Sequence, residues 1–450
     1  MIRLSVTILL ATALATNNIK ENEKLPEIET SFPLLWKINI GNVSFRSNVL
    51  FNSDNLIIGS NGEGYMDYNL LDRKSGVYFL NRKSGKIETH FGAECMGDMD
   101  VTGLLAYNKK LYFGNDNDEF FCTTMQGKTI WRNPTSGDIE HEPVLINTKS
   151  QSEIIYASEA GEVRAVNPET GKTIWVYYTP EFNSWKPGDN RTVFKVKSYF
   201  YNTTSFYTKP QLYDLNNDGV EDLIYLTYDS KVYAINGLNG KLLWSYYSPN
   251  RLEILNTILN ENGNPAITFF SSYYENNVRQ NKVIKLNKFG QVIPQSNIGN
   301  SFSCVSLNEI YRKDYGTIIY DIDSILLLNQ SGCHKIMNTF FEGTRKKYYG
   351  LDSETISRMF YEPILSNAIF DYNENKDCII ILSQHDMINY EKGYIEIISL
   401  DKKEVIKRLS IPASSEMVPI IKDVNQDGYL DLLINCSDGF LYCYNLKVKA

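Results

Sequence analysis

The sequence is short of the residues that usually carry chemistry. Its 4 His (90, 141, 334 and 385) include no HExxH pair and no Ser-His-Asp context, which removes the commonest zinc and nucleophile arrangements. The 7 Cys, at 95, 122, 304, 333, 378, 436 and 443, show no CxxC, no adjacent pair and no zinc spacing. Neither Gly-rich stretch, at 61–64 or 136–137, leads from a strand into a helix, so neither reads as a phosphate loop. Basic residues are outnumbered, 45 Lys and Arg against 53 Asp and Glu, for a formal charge of −8. That balance gives no support to binding nucleic acid or an anionic membrane, where a basic surface is expected. Beyond the N-terminus no stretch reaches the ~18 uninterrupted apolar residues of a membrane-spanning helix.

What is present suits a folded protein. Hydrophobic residues make up 43% and charged residues 22% of 450, so disorder is excluded and a large core can be buried. Met1-Ile2-Arg3 followed by an apolar run to Leu14 and the small-x-small sequence Ala13-Leu14-Ala15 predicts a signal peptide over 1–15. The expected order is then a linker over 16–32 and one domain over 33–450. The C-terminal residues show no retention tetrapeptide and no anchor tail. The expected location is outside the cell or in the lumen of the secretory pathway, where Cys pairing is permitted but its connectivity is not readable. Cys304 and Cys333 fall in one repeat unit, and nothing in the sequence says whether they are bridged. Among the Asn-x-Ser/Thr acceptors, Asn190 and Asn202 are the glycosylation candidates.

Internal repeats organise the domain. Gly161-Glu-Val-Arg-Ala-Val-Asn167, a turn, and Gly171-Lys-Thr-Ile-Trp175 recur as Lys231-Val-Tyr-Ala-Ile-Asn236 with Gly240-Lys-Leu-Leu-Trp244. Gly127-Lys-Thr-Ile-Trp131 and Gly85-Lys86 are weaker copies. Turn glycines 85, 127, 171, 240, 290 and 332 fall at intervals of 42, 44, 69, 50 and 42 residues, and a period of ~43 is one four-stranded propeller blade. The longer intervals require insertions, expected near 180–208 (rich in Tyr, Asn and Thr) and near 341–361, with a short helix over 353–361. Alternating apolar residues such as Val163 and Ala165 make half-buried strands, and Asn with Gly supplies the tight reversal. The Trp after Gly-Lys starts the outer strand and is expected to pack flat between neighbouring blades.

Seven units own an outer strand, and the final one, 418–445, has three strands and then ends. Residues 33–38, Pro-Leu-Leu-Trp-Lys-Ile, match the missing Trp-bearing strand but precede every unit. The prediction is an all-β, eight-bladed propeller, seven-bladed as the alternative, in which the N-terminal strand completes the last blade. The Gly-Lys-x-x-Trp units resemble the tryptophan-docking repeats of quinoprotein-type (PQQ-like) propellers.

Two loops share a ligand pattern. Asp214-Leu-Asn216-Asn-Asp218-Gly219-Val220-Glu-Asp222 and Asp423-Val-Asn425-Gln-Asp427-Gly428-Tyr429-Leu-Asp431 place oxygen donors at positions 1, 3, 5 and 9 with Gly at 6. The carbonyls of Val220 and Tyr429 supply position 7. A hard dication wants six to eight such oxygens, so both loops are predicted Ca²⁺ sites. Position 12 holds Tyr225 and Ile434 instead of the Glu of a helix–loop–helix site, and strand sequence flanks both loops. They resemble the FG-GAP loops of integrin α-chain propellers, whose calcium braces a blade. A third copy starting at Asp371 lacks the Gly and is expected to be empty.

The quinoprotein resemblance brings an enzyme alternative, a dehydrogenase with a catalytic Asp and Ca²⁺ in the central funnel and, in several members, an adjacent-Cys disulfide. This chain has no adjacent Cys, and its calcium motifs lie within blades. The preferred reading is therefore non-enzymatic: a calcium-binding propeller acting as an adhesion-type or assembly scaffold. Its loop faces are expected to hold a protein or glycan, and a membrane protein is compatible as partner. The loops also make the chain similar to plant exine-formation propellers, which act in wall or matrix assembly and carry a membrane anchor.

Overall fold

The computed structural model describes residues 28–29, 32–62, 74–92, 99–182, 206, 208–227, 229–261, 264–275, 278–294, 310–312, 316–321, 324–329, 332–338, 364–383 and 393–450. Every helix or strand among them is a strand. The predicted signal peptide, most of both insertions, the helix over 353–361, Asn190, Asn202, Cys95 and Cys304 lie outside the described residues.

Turn chemistry explains why the strands reverse where they do. In the turns at 81–85, 167–171 and 236–240 the Asn side-chain oxygen accepts the amides two and three residues on, while the Gly amide returns to the Asn carbonyl at 2.8, 2.9 and 2.8 Å. The glycine takes φ of +67°, +70° and +72°, the left-handed region that disfavours a Cβ. Each turn delivers the chain into an outer strand such as Thr173–Tyr178 or Leu242–Tyr247.

Consecutive sheets form in chain order, spanning 49–91, 104–134, 144–178, 211–247, 251–286, 310–338, 364–411 and 420–449. Their segments are antiparallel meanders, as short loops require. Leu34–Asn39 pairs antiparallel with Phe440–Lys449 and forms the fourth strand of the last sheet, with Trp36 opposite Cys443. Ile28–Glu29 adds to the edge of Glu404–Ile411 in parallel.

The strand count corrects the expectation of eight blades to the alternative of seven. Seven sheets have four or more strands, whereas the sheet over 251–286 has three. Among the described residues its fourth strand is represented by one bridge between Leu286 and Val292. Pro294 stands two residues on, and a residue without an N–H cannot donate to a ladder.

Neighbouring sheets share apolar cores, the stacking of a β-propeller. Tyr112 and Phe120 of the second sheet meet Ile154 and Tyr156 of the third, and Ile57 and Phe79 of the first meet Phe113 and Phe121 of the second. Equivalent cores join third to fourth, fourth to fifth, sixth to seventh, seventh to last, and last to first. The Trp residues do what their spacing predicts. Trp36, Trp131, Trp175 and Trp244 each lie on the turn glycine of the following sheet, so close that a Cβ on Gly85, Gly171, Gly240 or Gly290 would fall 2.4 to 2.7 Å from the indole. Three of them also donate from Nε1 to a turn carbonyl: Trp36 to Arg82 at 3.1 Å, Trp131 to Pro168 at 3.1 Å and Trp244 to Lys288 at 2.8 Å. The first-to-second junction has no Trp, and Gly127 instead faces Thr89 and Phe91.

Candidate functional site

Both carboxylate loops sit between the first and second strands of their sheets. One joins Gln211–Tyr213 to Asp222–Leu226, the other Ile420–Lys422 to Tyr429–Asn435. Their backbones are nearly superposable in torsion. Asn217 and Gly219 have φ of 61° and 85°, and Gln426 and Gly428 have 64° and 86°. Positive φ at position 6 is what the invariant Gly of the pattern provides.

The side-chain oxygens turn inward in the same way. Asp214 Oδ1 and Asn216 Oδ1 both accept the Asp218 amide, at 3.1 and 2.8 Å. Asp214 Oδ2 accepts from Gly219 at 3.0 Å, and Asp218 Oδ1 from Val220 at 2.9 Å. In the second loop Asp423 Oδ1 and Asn425 Oδ1 share the Asp427 amide, both at 3.1 Å, Asp423 Oδ2 takes Gly428, and Asp427 Oδ1 takes Tyr429. So positions 1 and 3 converge on the amide of position 5, whose own carboxylate takes the position-7 amide, and each oxygen has lone pairs to spare.

Position 9 behaves differently. Asp222 and Asp431 are fully buried beneath their loops and accept position-2 amides, from Leu215 and Val424, at 2.9 Å. Among the described residues no three His, Cys, Asp or Glu side chains form a group that could hold a metal. The donor set is nonetheless all oxygen, of the kind a hard cation takes, with two carboxylates and an Asn amide oxygen brought together and water left to complete the shell. Burial pushes both position-9 carboxyls up to about 6. Asp218, held by Asn236, Asn216 and the Val220 amide, moves down despite some desolvation.

The two loops differ in how Asp222 and Asp431 are satisfied. Asp222 Oδ1 accepts the Gly237 amide at 3.1 Å. Asp431 Oδ1 is buried with no hydrogen-bond partner, which is costly for a carboxylate oxygen. They differ also in what grips them from outside. Asn236 of the same sheet donates to Asp218 Oδ2 at 2.9 Å. At the second loop the grip comes from the first sheet: Arg82 donates from Nε to the Val424 carbonyl at 2.7 Å and from Nη2 to that of Asp423 at 2.8 Å. Sequence reasoning passed over Arg82. Its one signal was position, since it stands where the equivalent turns have Pro168 and Gly237.

The third motif is built differently. Phe370–Tyr372 turns directly into Asn375–Ser383, Asn373 has φ 54°, and Asp371 Oδ1 accepts the Asp377 amide at 3.2 Å.

Other singled-out residues serve the scaffold. His141 is buried, and its ring lies 5.8 Å from that of Tyr225. Nδ1 approaches the Glu142 carbonyl at 2.9 Å, so it carries the proton in the neutral ring. Burial, reinforced by Arg46 and Lys209, lowers its pKa to about 3. Cys122, Cys378, Cys436 and Cys443 are buried free thiols, which leaves them out of any disulfide. Asn435, an acceptor tripeptide in the sequence, is buried and bonds Gly41 and Val43.

Comparison with known proteins places these features. A family model described as outer membrane protein assembly factor BamB matches residues 73–281, under half of the chain. The match spans the run of docked Trp131, Trp175 and Trp244 and the first carboxylate loop. No curated protein matches. Among solved structures, BamB from Moraxella catarrhalis is 13% identical, with 92% of this chain and 100% of that one covered at TM-score 0.50. The Dos1 propeller is 10% identical with 93% and 96% covered at 0.56. Sqt1 of Saccharomyces cerevisiae is 11% identical with 92% and 99% covered at 0.55. At such identities the likeness speaks for the β-propeller fold alone. Among the described residues no helix is long and apolar enough to cross a membrane.

Proposed function

We propose that the chain is a non-enzymatic assembly scaffold: a propeller that binds a protein partner on its loop faces and is braced by calcium in the two carboxylate loops. The similarity of residues 73–281 to the BamB family model carries the scaffold reading. A dehydrogenase is not favoured, because the acidic motifs are built into strand connections. Closure of the propeller into one ring by Leu34–Asn39 belongs to this reading. It is supported by the shared cores that run without a break from the sixth sheet through the last and first to the fifth. A secretory-pathway location, Asn190 and Asn202 as glycan acceptors, and a membrane-protein partner belong to the same proposal, and a glycan ligand is its lesser form.

Calcium supplies charge neutralisation for the loop acids and does no bond-making here. Asp214, Asn216 and Asp218, with the Val220 carbonyl, would face the first ion. Asp423, Asn425 and Asp427, with the Tyr429 carbonyl, would face the second, and Asp222 and Asp431 hold each loop from below. The test is affinity purification of the tagged full chain from intact cells in calcium, followed by crosslinking. A stoichiometric complex with one folded protein, crosslinked to loop residues, is expected. A bound quinone spectrum with dye-linked dehydrogenase activity would contradict it.

A further inference from the structure

The 423–431 loop lies at the junction between the last and first sheets, beside Leu34–Asn39, which pairs into the last sheet and leads on into the first. Four features tie that junction. Trp36 lies on Gly85. The amides of Ile40 and Gly41 donate to the Gly439 carbonyl at 3.0 and 3.1 Å. Asn42 and Asn61 link 40–42 to the first sheet through the Gly62 and Asn42 carbonyls. The fourth is Arg82.

Arg82 is only 6% exposed. Besides the carbonyls of Asp423 and Val424 it donates from Nη1 to the Asn52 carbonyl at 2.7 Å, and its own carbonyl accepts the indole N–H of Trp36. One residue therefore touches the acidic loop, the first sheet and the N-terminal strand at once. It grips backbone carbonyls and leaves the Asp423 carboxylate to the loop amides, so it does not compete with a cation for that carboxylate. Parting the junction would pull Arg82 from the first two loop residues and loosen the turn that aims Asp423 and Asn425. The Asp431 oxygen without a partner sits against the same turn, since the other oxygen of that carboxylate accepts the amides of Val424 and Asn425. The 214–222 loop lacks this arrangement, because its clamps, Asn236 and Gly237, belong to its own sheet.

We infer that divalent-cation binding at 423–431 and closure of the last-to-first junction are one linked equilibrium, with Arg82 as the connecting residue. The inference rests on reading the loop as a calcium site and adds what that site regulates. Linkage is reciprocal: if the ion prefers the closed junction, the ion holds the junction closed.

Hydrogen exchange of the full chain, in calcium and in chelator, tests it alongside a calcium-binding isotherm. In the wild type, calcium should slow exchange of the 34–42 amides about ten-fold, an ordinary size for coupling between sites. In Arg82→Met two ions should still bind, and slowing at 211–226 should persist, while slowing at 34–42 shrinks to about two-fold or less. If Arg82→Met does not fold, Arg82→Lys, which keeps the charge but not the forked donor, should lie between the two. Equal slowing at 34–42 in wild type and variant would overturn the linkage. No binding in the wild-type isotherm would overturn the calcium reading itself, so the two failures are read on different instruments.

Discussion

The two carboxylate loops share a nine-residue pattern and a backbone, yet they sit in different mechanical settings. The 214–222 loop is finished by its own sheet, with Gly237 on the buried Asp222 and Asn236 on Asp218. The 423–431 loop is left with an unmet carboxylate oxygen on Asp431 and is held by Arg82 from the neighbouring sheet. Equal motifs thus need not have equal roles. The first is a local brace that protein groups alone nearly satisfy. In the calcium reading the second would gain more from a cation, and it lies where Leu34–Asn39 joins the last sheet.

The largest expected effect is at Asp222. In chelator, Asp222→Ala would strand the buried amides of Leu215 and Gly237 and cost about 3 kcal/mol or more. Asp431→Ala would also strand two amides, those of Val424 and Asn425, but it removes a buried carboxylate with an unmet oxygen, so urea unfolding should show a smaller loss. Calcium should reverse the order, and an order unchanged by calcium would erase the difference between the loops. Next, Arg82→Met leaves three backbone carbonyls without donors, at a cost of about 2–3 kcal/mol, measurable by the same unfolding curve.

Glycine substitutions sharpen the contrast between junctions. Gly85→Ala adds an unfavourable φ and a contact at 2.4 Å with Trp36, whereas Gly127→Ala has the φ problem but 3.4 Å to Thr89. Costs of about 2 and about 1 kcal/mol are expected. Similar losses would mean that the indole slides aside.

Between pH 7 and 6 the smallest effect is acid sensitivity. His141 packs on Tyr225 at the third-to-fourth junction, with a folded pKa of about 3 against an ordinary 6.5. A depressed value means the unfolded chain binds the proton more readily. The contribution of His141 is therefore complete above about pH 6.5 and declines as pH falls toward 3, by at most about 1.4 kcal/mol per pH unit. His141→Phe should flatten that limb of the stability–pH profile, with the last-to-first junction unaffected in hydrogen exchange.

How much of this was legible in the sequence depends on range. The Asn–Gly turns and the docking Trp are local signals repeated down the chain, so strand order, the N-terminal strand in the last sheet and both loops could be read directly. The three described strands of the fifth sheet were missed because the Gly290 turn matches the repeat, while Pro294, which cannot donate to a ladder, lies just past it. The position-9 Asp residues were read as ligands, but their burial beneath the loops depends on the amides of Leu215 and Val424, which no spacing reveals. Arg82 reaches a loop 341 residues away in sequence, and a contact of that range has no periodicity to announce it. His141 was read as structural from its place at a strand start. That it carries a buried, strongly depressed pKa follows only once Tyr225 and the Arg46 and Lys209 charges are placed around it.

The central claim is that the two loops bind calcium and that the ion stabilises the ring. It is tested most directly by thermal melts of the full chain in calcium and in chelator, run beside Asp218→Ala and Asp427→Ala. The account predicts that saturating calcium, near 100-fold above its dissociation constant, adds about 2.7 kcal/mol per site. It should raise the wild-type melting temperature by several degrees and each variant's by less, least in Asp427→Ala. Superposable wild-type melts with and without calcium would contradict it.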